Sequence, residues 1–346
     1  MAGVFPARTH ITKVAEQLFR LVPAVDRLKT QVILLAGSTT PFRNDTDREL
    51  PLRQESNFFY LTGCDVPNSH VLITARPPSQ TLANEAAATN ISIHSTLFLP
   101  REDPLETMWS PPPPTLEAAR KTHDSHDFAY TDEFGAKITS TVQEVGAAVI
   151  HILPHTAQFP NIPSPVLTAL AVAGLTPPPV ISYLLPSLHA ARLIKTPYEI
   201  DLIREANAIS SRAHEVIMRV LGKDMKEVGG KVNPKKSTTA VLPGQWRIEK
   251  EAEAEAVFVA SCRREGALHQ AYMPIVASAQ HAATLHYCCN DRAFAWGPIN
   301  AEHGDLATRT NGHTHAHTNG HQEEPTLAPQ VLLLDAGCEW RNYASD

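Results

Sequence analysis

Two aspartates lie at the C-terminal end of the sequence. The segment from Val331 reads VLLLDAGCEWRNYASD, so an apolar run leads directly to Asp335, and Asp346 is the last residue. A carboxylate at the end of an apolar strand is costly to bury unless it is paired or bound to a cation. Asn342 between them tolerates the positive φ of a tight turn. A turn near residues 340–342 would fold two arms antiparallel and place the aspartates opposite or diagonal to each other.

Such a carboxylate pair predicts a site for hard divalent cations. Two carboxylates forced together repel each other unless cations lie between them, and oxygen ligands of this kind suit Mn²⁺, Zn²⁺, Co²⁺ or Fe²⁺ in a two-metal hydrolytic site. The alternative is that one aspartate ends a strand and the other lies loose. Two aspartates at this spacing do not decide between these interpretations.

The N-terminal part of the chain predicts an α/β domain over residues 1–185. Residues 12–22 carry apolar side chains at helical spacing, and several short apolar runs bounded by Gly, Pro or Asn are typical of strands. The predicted strands are QVILLAG (31–37), NFFYLTG (57–63), SHVLIT (69–74) and SIHSTLFLP (92–100), and VGAAVIHILP (145–154) is predicted as a strand or a buried segment. Strands mixed with helices in this way indicate an α/β arrangement.

The remaining residues, 186–346, predict a second domain. Thr196 precedes Pro197, and Glu199 is placed to complete a capping box for a helix that runs to Leu221. Further predicted elements are a loop at 222–246, a helix within 247–266 and paired strands within 268–290.

A polar segment interrupts this second domain. Residues 300–330 are Gly-punctuated, contain five histidines between His303 and His321, and have almost no large apolar side chains. Such a segment cannot bury enough surface to offset its ordering entropy. We therefore interpret it as a low-complexity insertion in a hairpin loop, with a metal-capturing tract as the alternative.

Composition excludes several classes of protein. A formal net charge of −6 and a pI of about 6.3 argue against nucleic-acid binding, which needs clustered Lys and Arg. No run of 18 apolar residues predicts a membrane span, and the N-terminus lacks the long apolar stretch of a secretory signal. Five cysteines without a CxxC pair suit a reducing cytoplasm, which we favour over a mitochondrial location.

Several stretches, in order along the chain, resemble one family of enzymes. They are PLRQESNFFYLTG (51–63), RLIKTPYEIDLIREA (192–206), AYMPIVASAQHAATLHY (271–287) and LLLDAGCEWRNYASD (332–346). These resemble the metallopeptidases of the pita-bread fold that cleave next to proline, and most closely Xaa-Pro aminopeptidase (aminopeptidase P). The resemblance implies an α/β N-terminal domain followed by an α+β pita-bread catalytic domain.

The resemblance also implies roles for four residues. Asp335 and Asp346 would bind two divalent ions, Mn²⁺ before Zn²⁺ or Co²⁺. His286 would steady the substrate and the transition state, and the hydroxyl of Tyr272 would support an aspartate ligand. A hydrogen-bonded core histidine and an ordinary core tyrosine are the alternatives for the last two residues.

The implied reaction is release of an N-terminal residue from proline-containing peptides. Prolidase activity, a non-catalytic binding module and a metal-free hydrolase with His286 as base are the alternatives, and a homo-oligomer is left open. The chain departs from the family at Ala279 and His281, where the family usually has Gly and Asn. The family completes its site with a histidine and two glutamates after the aspartates, and the sequence ends before them, so we expect an inactive fragment.

Overall fold

The protein is described here by a computed structural model. It describes residues 3–77, 91–172, 178–228, 248, 250–292 and 332–346. The chain divides into two units, Met1–Glu199 and Ile200–Asp346. The boundary predicted from sequence, between residues 185 and 186, lies N-terminal to this division.

The first unit is a five-stranded mixed sheet with helices on both faces. Its helices are α1 (Ala7–Leu21), α2 (Ser56–Thr62), α3 (Leu116–Thr122), α4 (Phe134–Val145), α5 (Ser164–Val172) and α6 (Leu184–Leu193). Its strands are β1 (Thr30–Ala36), β2 (His70–Arg76), β3 (Ser92–Leu99), β4 (Asp127–Tyr130) and β5 (Ala148–His151), in the order β4-β3-β2-β1-β5. Strand β1 runs antiparallel to β2 and parallel to β5.

Strand β1 lies at the centre of two apolar cores. All seven of its residues are buried, because successive side chains of a strand point to opposite faces and both faces are covered. Ile33 and Leu35 belong to the core that includes residues of α1, α2 and α6, whereas Val32 and Leu34 pack in the core that includes α4. The strand predicted at 31–37 is therefore confirmed.

The strand predicted at 57–63 is wrong, because this segment is helix α2. The carboxylate of Glu55 accepts hydrogen bonds from the backbone N–H groups of Asn57 (3.0 Å) and Phe58 (2.7 Å), which caps the helix start. Gly63 ends it with a φ of 65°. A short, largely apolar run has no periodicity to separate helix from strand, so the caps decide.

The second unit is built on two long helices and small sheets. Its elements are α7 (Pro197–Val228), α8 (Glu251–Arg264), β6 (His269–Gln270), β7 (Ile275–Ser278), β8 (Leu332–Asp335), β9 (Cys338–Trp340) and β10 (Tyr343–Ala344). The predicted capping box is confirmed: the Thr196 N–H donates to Glu199 (2.7 Å), and the Glu199 N–H donates to the Thr196 hydroxyl (3.3 Å). A core of α7, α8 and β9 residues includes Ile209, Phe258 and Cys338.

Two predictions for this unit need correction. The loop predicted from residue 222 is wrong as far as Val228, because α7 continues to that residue; Lys223, Met225, Lys226 and Glu227 are good helix formers. The strands predicted within 268–290 do not pair with each other: β6 pairs with β9, and β7 pairs with β8. Residues 279–283 form a 3₁₀ helix, and 284–292 contain no strand.

The predicted insertion at 300–330 and most of the predicted loop at 222–246 lie outside the described residues. Within the described ranges, no helix is both long and apolar enough to cross a bilayer.

Candidate metal site

A tight turn brings the two aspartate-bearing arms together. Arg341 and Asn342 both have positive φ, 48° and 62°, which confirms the predicted turn. Strand β10 pairs antiparallel with β9, and the Ser345 N–H continues the pairing by donating to the Cys338 carbonyl (2.9 Å). Asp346 is the next residue and therefore follows at the level of Gly337, two residues from Asp335.

Gly337 permits the close approach of these arms. A Cβ built at this position would lie 2.1 Å from the backbone oxygen of Ser345. Any side chain at residue 337 would therefore push the final arm away. Gly337, two residues after Asp335, therefore allows the strand that carries Asp335 and the arm that carries Asp346 to lie close together.

Tyr272 links the aspartates to the neighbouring segment. Its hydroxyl donates a short hydrogen bond to Oδ1 of Asp335. Burial raises the pKa of Tyr272, and the hydrogen bond to Asp335 and the charges of Asp335 and Asp346 raise it further. The hydroxyl therefore remains protonated and can donate across the neutral pH range. The Ala271 N–H donates to the Gly337 carbonyl (2.9 Å), which fixes this segment beside the aspartate arm.

A buried polar cluster holds the final arm on α7. The hydroxyls of Ser210 and Ser345 lie 2.5 Å apart, and both accept a hydrogen bond from the Cys338 N–H, at 3.1 and 3.0 Å. All three residues are buried. The sequence does not predict this role for Ser210 or Ser345, because isolated serines carry no pattern that indicates a contact between distant segments.

The expectation of a carboxylate on a buried strand is wrong. Strand β8 is only partly buried, and Leu333 on it is 38% exposed. Asp335 and Asp346 are both exposed. Because both carboxylates remain solvated, their burial gives no reason to expect a bound cation. The evidence for a metal site is instead that both aspartates lie close to Tyr272.

The hydrogen bond that joins Tyr272 to Asp335 does not involve His286. His286 is exposed, in the irregular stretch after the 3₁₀ helix, and within the described residues no hydrogen bond or ion pair joins its ring to Asp335 or Asp346. The next residue, Tyr287, is anchored: its hydroxyl donates to buried Glu251 (2.9 Å) and to Asp291 (3.1 Å). The structure thus brings together three of the four predicted site residues.

Glu251 organises the segment that carries His286. It is fully buried and accepts hydrogen bonds from the N–H and hydroxyl of Ser278, both at 2.7 Å, and from the Arg292 N–H at 3.2 Å. Burial opposes ionisation, but these bonds and the one from Tyr287 hold the pKa of Glu251 below its usual value. His281, one of the two positions at which the chain departs from the family pattern, stacks on Tyr287 with ring centroids 4.9 Å apart.

The donor set fits part of a metal site. Two carboxylates on adjoining arms supply the hard oxygen ligands that Mn²⁺ and similar ions prefer, and a tyrosine hydroxyl orients one of them. In the part of the chain that the structure describes, no group of three or more His, Cys, Asp or Glu side chains is placed to hold a metal ion. The described residues would therefore fit one side of a coordination sphere.

Comparison with known proteins identifies the domains. A family model described as the aminopeptidase P N-terminal domain matches residues 10–151, and one described as metallopeptidase family M24 matches residues 201–346. The probable Xaa-Pro aminopeptidase of Pyrenophora tritici-repentis is 31% identical over 346 residues, covering 100% of this chain and 56% of that protein. That of Sordaria macrospora is 30% identical over 344 residues, covering 99% and 44%. The chain spans about half the length of the curated relatives that it matches.

Solved structures show the same fold. Aminopeptidase P from E. coli, in its low-pH form, superposes with a TM-score of 0.62 at 21% identity, over 98% of this chain and 61% of that one. Aminopeptidase PepP of Pseudomonas aeruginosa gives 0.62 at 21% identity, over 100% and 61%. Fold and family models together define an M24 metallopeptidase with an aminopeptidase P type of N-terminal domain. Within that class the chain belongs to the Xaa-Pro aminopeptidase family, which confirms the predicted family and fold.

Proposed function

We propose that this protein is a metal-dependent aminopeptidase that releases an N-terminal residue next to proline. The observation that carries the proposal is the convergence of Asp335, Asp346 and the Tyr272 hydroxyl on adjoining arms. The names of the relatives support it, since those at about 30% identity are called Xaa-Pro aminopeptidases. Proline-containing peptides are the proposed substrates, and the cytoplasmic location stays a prediction.

Asp335 and Asp346 are the proposed ligands of two divalent ions, with Mn²⁺ preferred over Zn²⁺ or Co²⁺. Such ions, when bound, lower the pKa of a water molecule and polarise the scissile carbonyl group. Tyr272 hydrogen-bonds to Oδ1 of Asp335 and would so orient this carboxylate for a metal ion. The Tyr272 hydroxyl donates to this carboxylate, so its proposed role is to orient a ligand.

His286 is proposed to hydrogen-bond the substrate. Its exposed ring is not occupied by another described side chain, and Tyr287 beside it is anchored on Glu251. A donor placed at a developing negative charge stabilises the transition state of acyl transfer. Tyr287 would therefore position the backbone from which the His286 side chain projects.

We further propose that a polypeptide of residues 1–346 alone binds metal weakly and does not turn over substrate. A two-metal site needs ligands on several sides of both ions, and the described residues provide two carboxylates. The same observation favours a second candidate, in which these residues serve as a non-catalytic pita-bread binding module. Prolidase remains the alternative among enzymes.

The test is peptide hydrolysis with added Mn²⁺. The 346-residue polypeptide should release no N-terminal residue from an Xaa-Pro-Xaa tripeptide. The same chain extended by the C-terminal segment of a relative should gain that activity, and it should lose it on Asp335→Asn or His286→Ala. Asp201→Asn is the matched control, since Asp201 is an exposed carboxylate paired only with Arg204 among the described residues.

Three outcomes separate the candidates. An extended chain that cleaves Xaa-Pro dipeptides but not the tripeptide indicates prolidase. An extended chain that is folded but inactive towards both peptides supports the binding module. Activity that persists in Asp335→Asn would overturn the assignment of the metal ligand.

A further inference from the structure

A polar cavity in the first unit lies away from the aspartates. It has a volume of about 400 Å³ and lies between α4 and one end of the sheet face formed by β2 and β3. Cavities of roughly 300–1,000 Å³ are the usual size of small-molecule sites. Nothing in the proposed peptidase reaction uses this cavity.

The alternation of side chains along β2 and β3 makes this end of the face polar. Leu72 pairs with Thr96 and packs in the apolar core under α4, but the next pairs on the same face are Thr74 with His94 and Arg76 with Ser92. Helix α4 likewise has an apolar side and a polar side. Its buried face carries Ile138 and Val142, whereas Lys137, Thr141 and Glu144 line the cavity.

Thr96 supplies a polar group that the fold does not use. The residue is 2% exposed and lines the cavity, and among the described residues its Oγ1 has no hydrogen-bond partner. Burying a hydroxyl without a partner costs free energy. A ligand atom that hydrogen-bonds to this hydroxyl would recover that cost.

The cavity is lined by two cationic side chains and one carboxylate. Arg76 and Lys137 line it together with His94, and Glu144 is the carboxylate among the lining residues. Arg76 lies 3.5 Å from Glu144, but both side chains are more than half exposed, at 53% and 76%, so the pair is weak. His94 lies 3.0 Å from Asp127 on β4. Lys137 forms no ion pair with any side chain that the structure describes.

We propose that this cavity binds a small phosphomonoester that also carries hydroxyl groups. Arg76 and Lys137 would bind the phosphate, because the guanidinium offers a fork of donors and the ammonium a point charge. The hydroxyls of Thr74, Thr96 and Thr141 would bind the rest of the ligand. The volume exceeds that of a free phosphate, which favours an ester over the inorganic ion.

The proposal is tested by isothermal titration of the full 346-residue chain with glycerol phosphate at low ionic strength. Saturable binding is expected, with no saturable binding of glycerol. Lys137→Gln and Thr96→Val should each weaken the affinity at least tenfold. Lys121→Gln is the matched control for charge, since it removes an exposed lysine on α3 that pairs with Glu117, and it should leave the affinity unchanged.

Thr96→Val also separates lost binding from lost structure. Because it removes a hydroxyl without a partner and keeps the shape of the side chain, its melting temperature should equal or exceed that of the parent chain. The proposal is overturned if glycerol phosphate gives no saturable heat, if glycerol binds equally well, or if Lys121→Gln weakens binding as much as Lys137→Gln. A Thr96→Val chain that melts at the parent temperature and binds with the parent affinity would overturn it as well.

Discussion

Replacing Gly337 by alanine perturbs the contact that sets the spacing of the aspartate arms. The new Cβ would lie 2.1 Å from the carbonyl oxygen and 2.9 Å from the carbonyl carbon of Ser345. Both are backbone atoms, and the same residue is held by its N–H bond to the Cys338 carbonyl. No side-chain rotation can relieve this clash, so the final arm must move.

The size of the effect follows from the geometry. Since real Cβ atoms essentially never lie closer than 3.0 Å to another heavy atom, the arm must retreat by roughly 1 Å, and overpacking of this kind costs about 1–3 kcal/mol. Weakening the Ser345 hydrogen bond adds about 1 kcal/mol. We therefore expect the C-terminal arm to lose about 2–4 kcal/mol of local stability, which is roughly 30-fold or more in its opening equilibrium.

Hydrogen exchange followed by mass spectrometry measures this directly. Protection of the peptide 338–346 should fall by roughly 30-fold or more in Gly337→Ala. Gly222→Ala is the control, because no heavy atom lies within 4 Å of a Cβ at this position in α7, and alanine favours a helix over glycine. If Gly337→Ala keeps the protection of the parent chain, the account of the paired arms is refuted.

Three further predictions concern other parts of the molecule. Tyr272→Phe removes the hydrogen bond to Asp335 and should weaken Mn²⁺ binding about 10–100-fold in a direct titration, and an unchanged affinity would contradict the role of the hydroxyl. Burial opposes ionisation of Glu199, but hydrogen bonds from His10 and Thr196 lower its pKa from 4.5 to about 2, so its stabilisation is fully present above about pH 4.5 and is lost as the pH falls towards 2. Glu199→Gln should therefore lower the free energy of unfolding by about 3 kcal/mol in urea melts at pH 7 and by little at pH 2, and an equal loss at both pH values would count against this linkage. Deleting residues 300–328 should leave the melting temperature and Mn²⁺ binding almost unchanged because loop closure depends weakly on length, whereas a clear loss of binding would make the histidine tract a source of ligands.

Local signals in the sequence were sufficient where one short segment determines the structure. The apolar run 31–37 became a strand buried on both faces, and Thr196 with Glu199 formed the expected capping box. Asn342 has the positive φ that its residue type permits, and the turn there brings the aspartate arms together. Each of these outcomes depends on residues within a few positions of one another.

Predictions failed where an apolar run fits both helix and strand, or where distant residues decide the structure. The apolar side chains of residues 57–63 fit either a helix or a strand, and the cap from Glu55 selects the helix. The stretch 284–292 is held by hydrogen bonds to the Glu251 side chain on α8 and contains no strand, although its apolar residues predicted one. Ser210 and Ser345 are in contact although 135 positions separate them in the sequence, and no local pattern predicts such a contact.

The most direct test of the metal site is an electron paramagnetic resonance titration of Mn²⁺ with the 346-residue chain. Mn²⁺ suits the question because it prefers carboxylate oxygens to the imidazoles of the histidine tract. Weak binding is expected, and it should disappear in the double variant Asp335→Asn, Asp346→Asn while Asp201→Asn binds as the parent does. Mn²⁺ binding that survives in the double variant with the parent affinity would contradict the assignment of these two aspartates as the metal ligands.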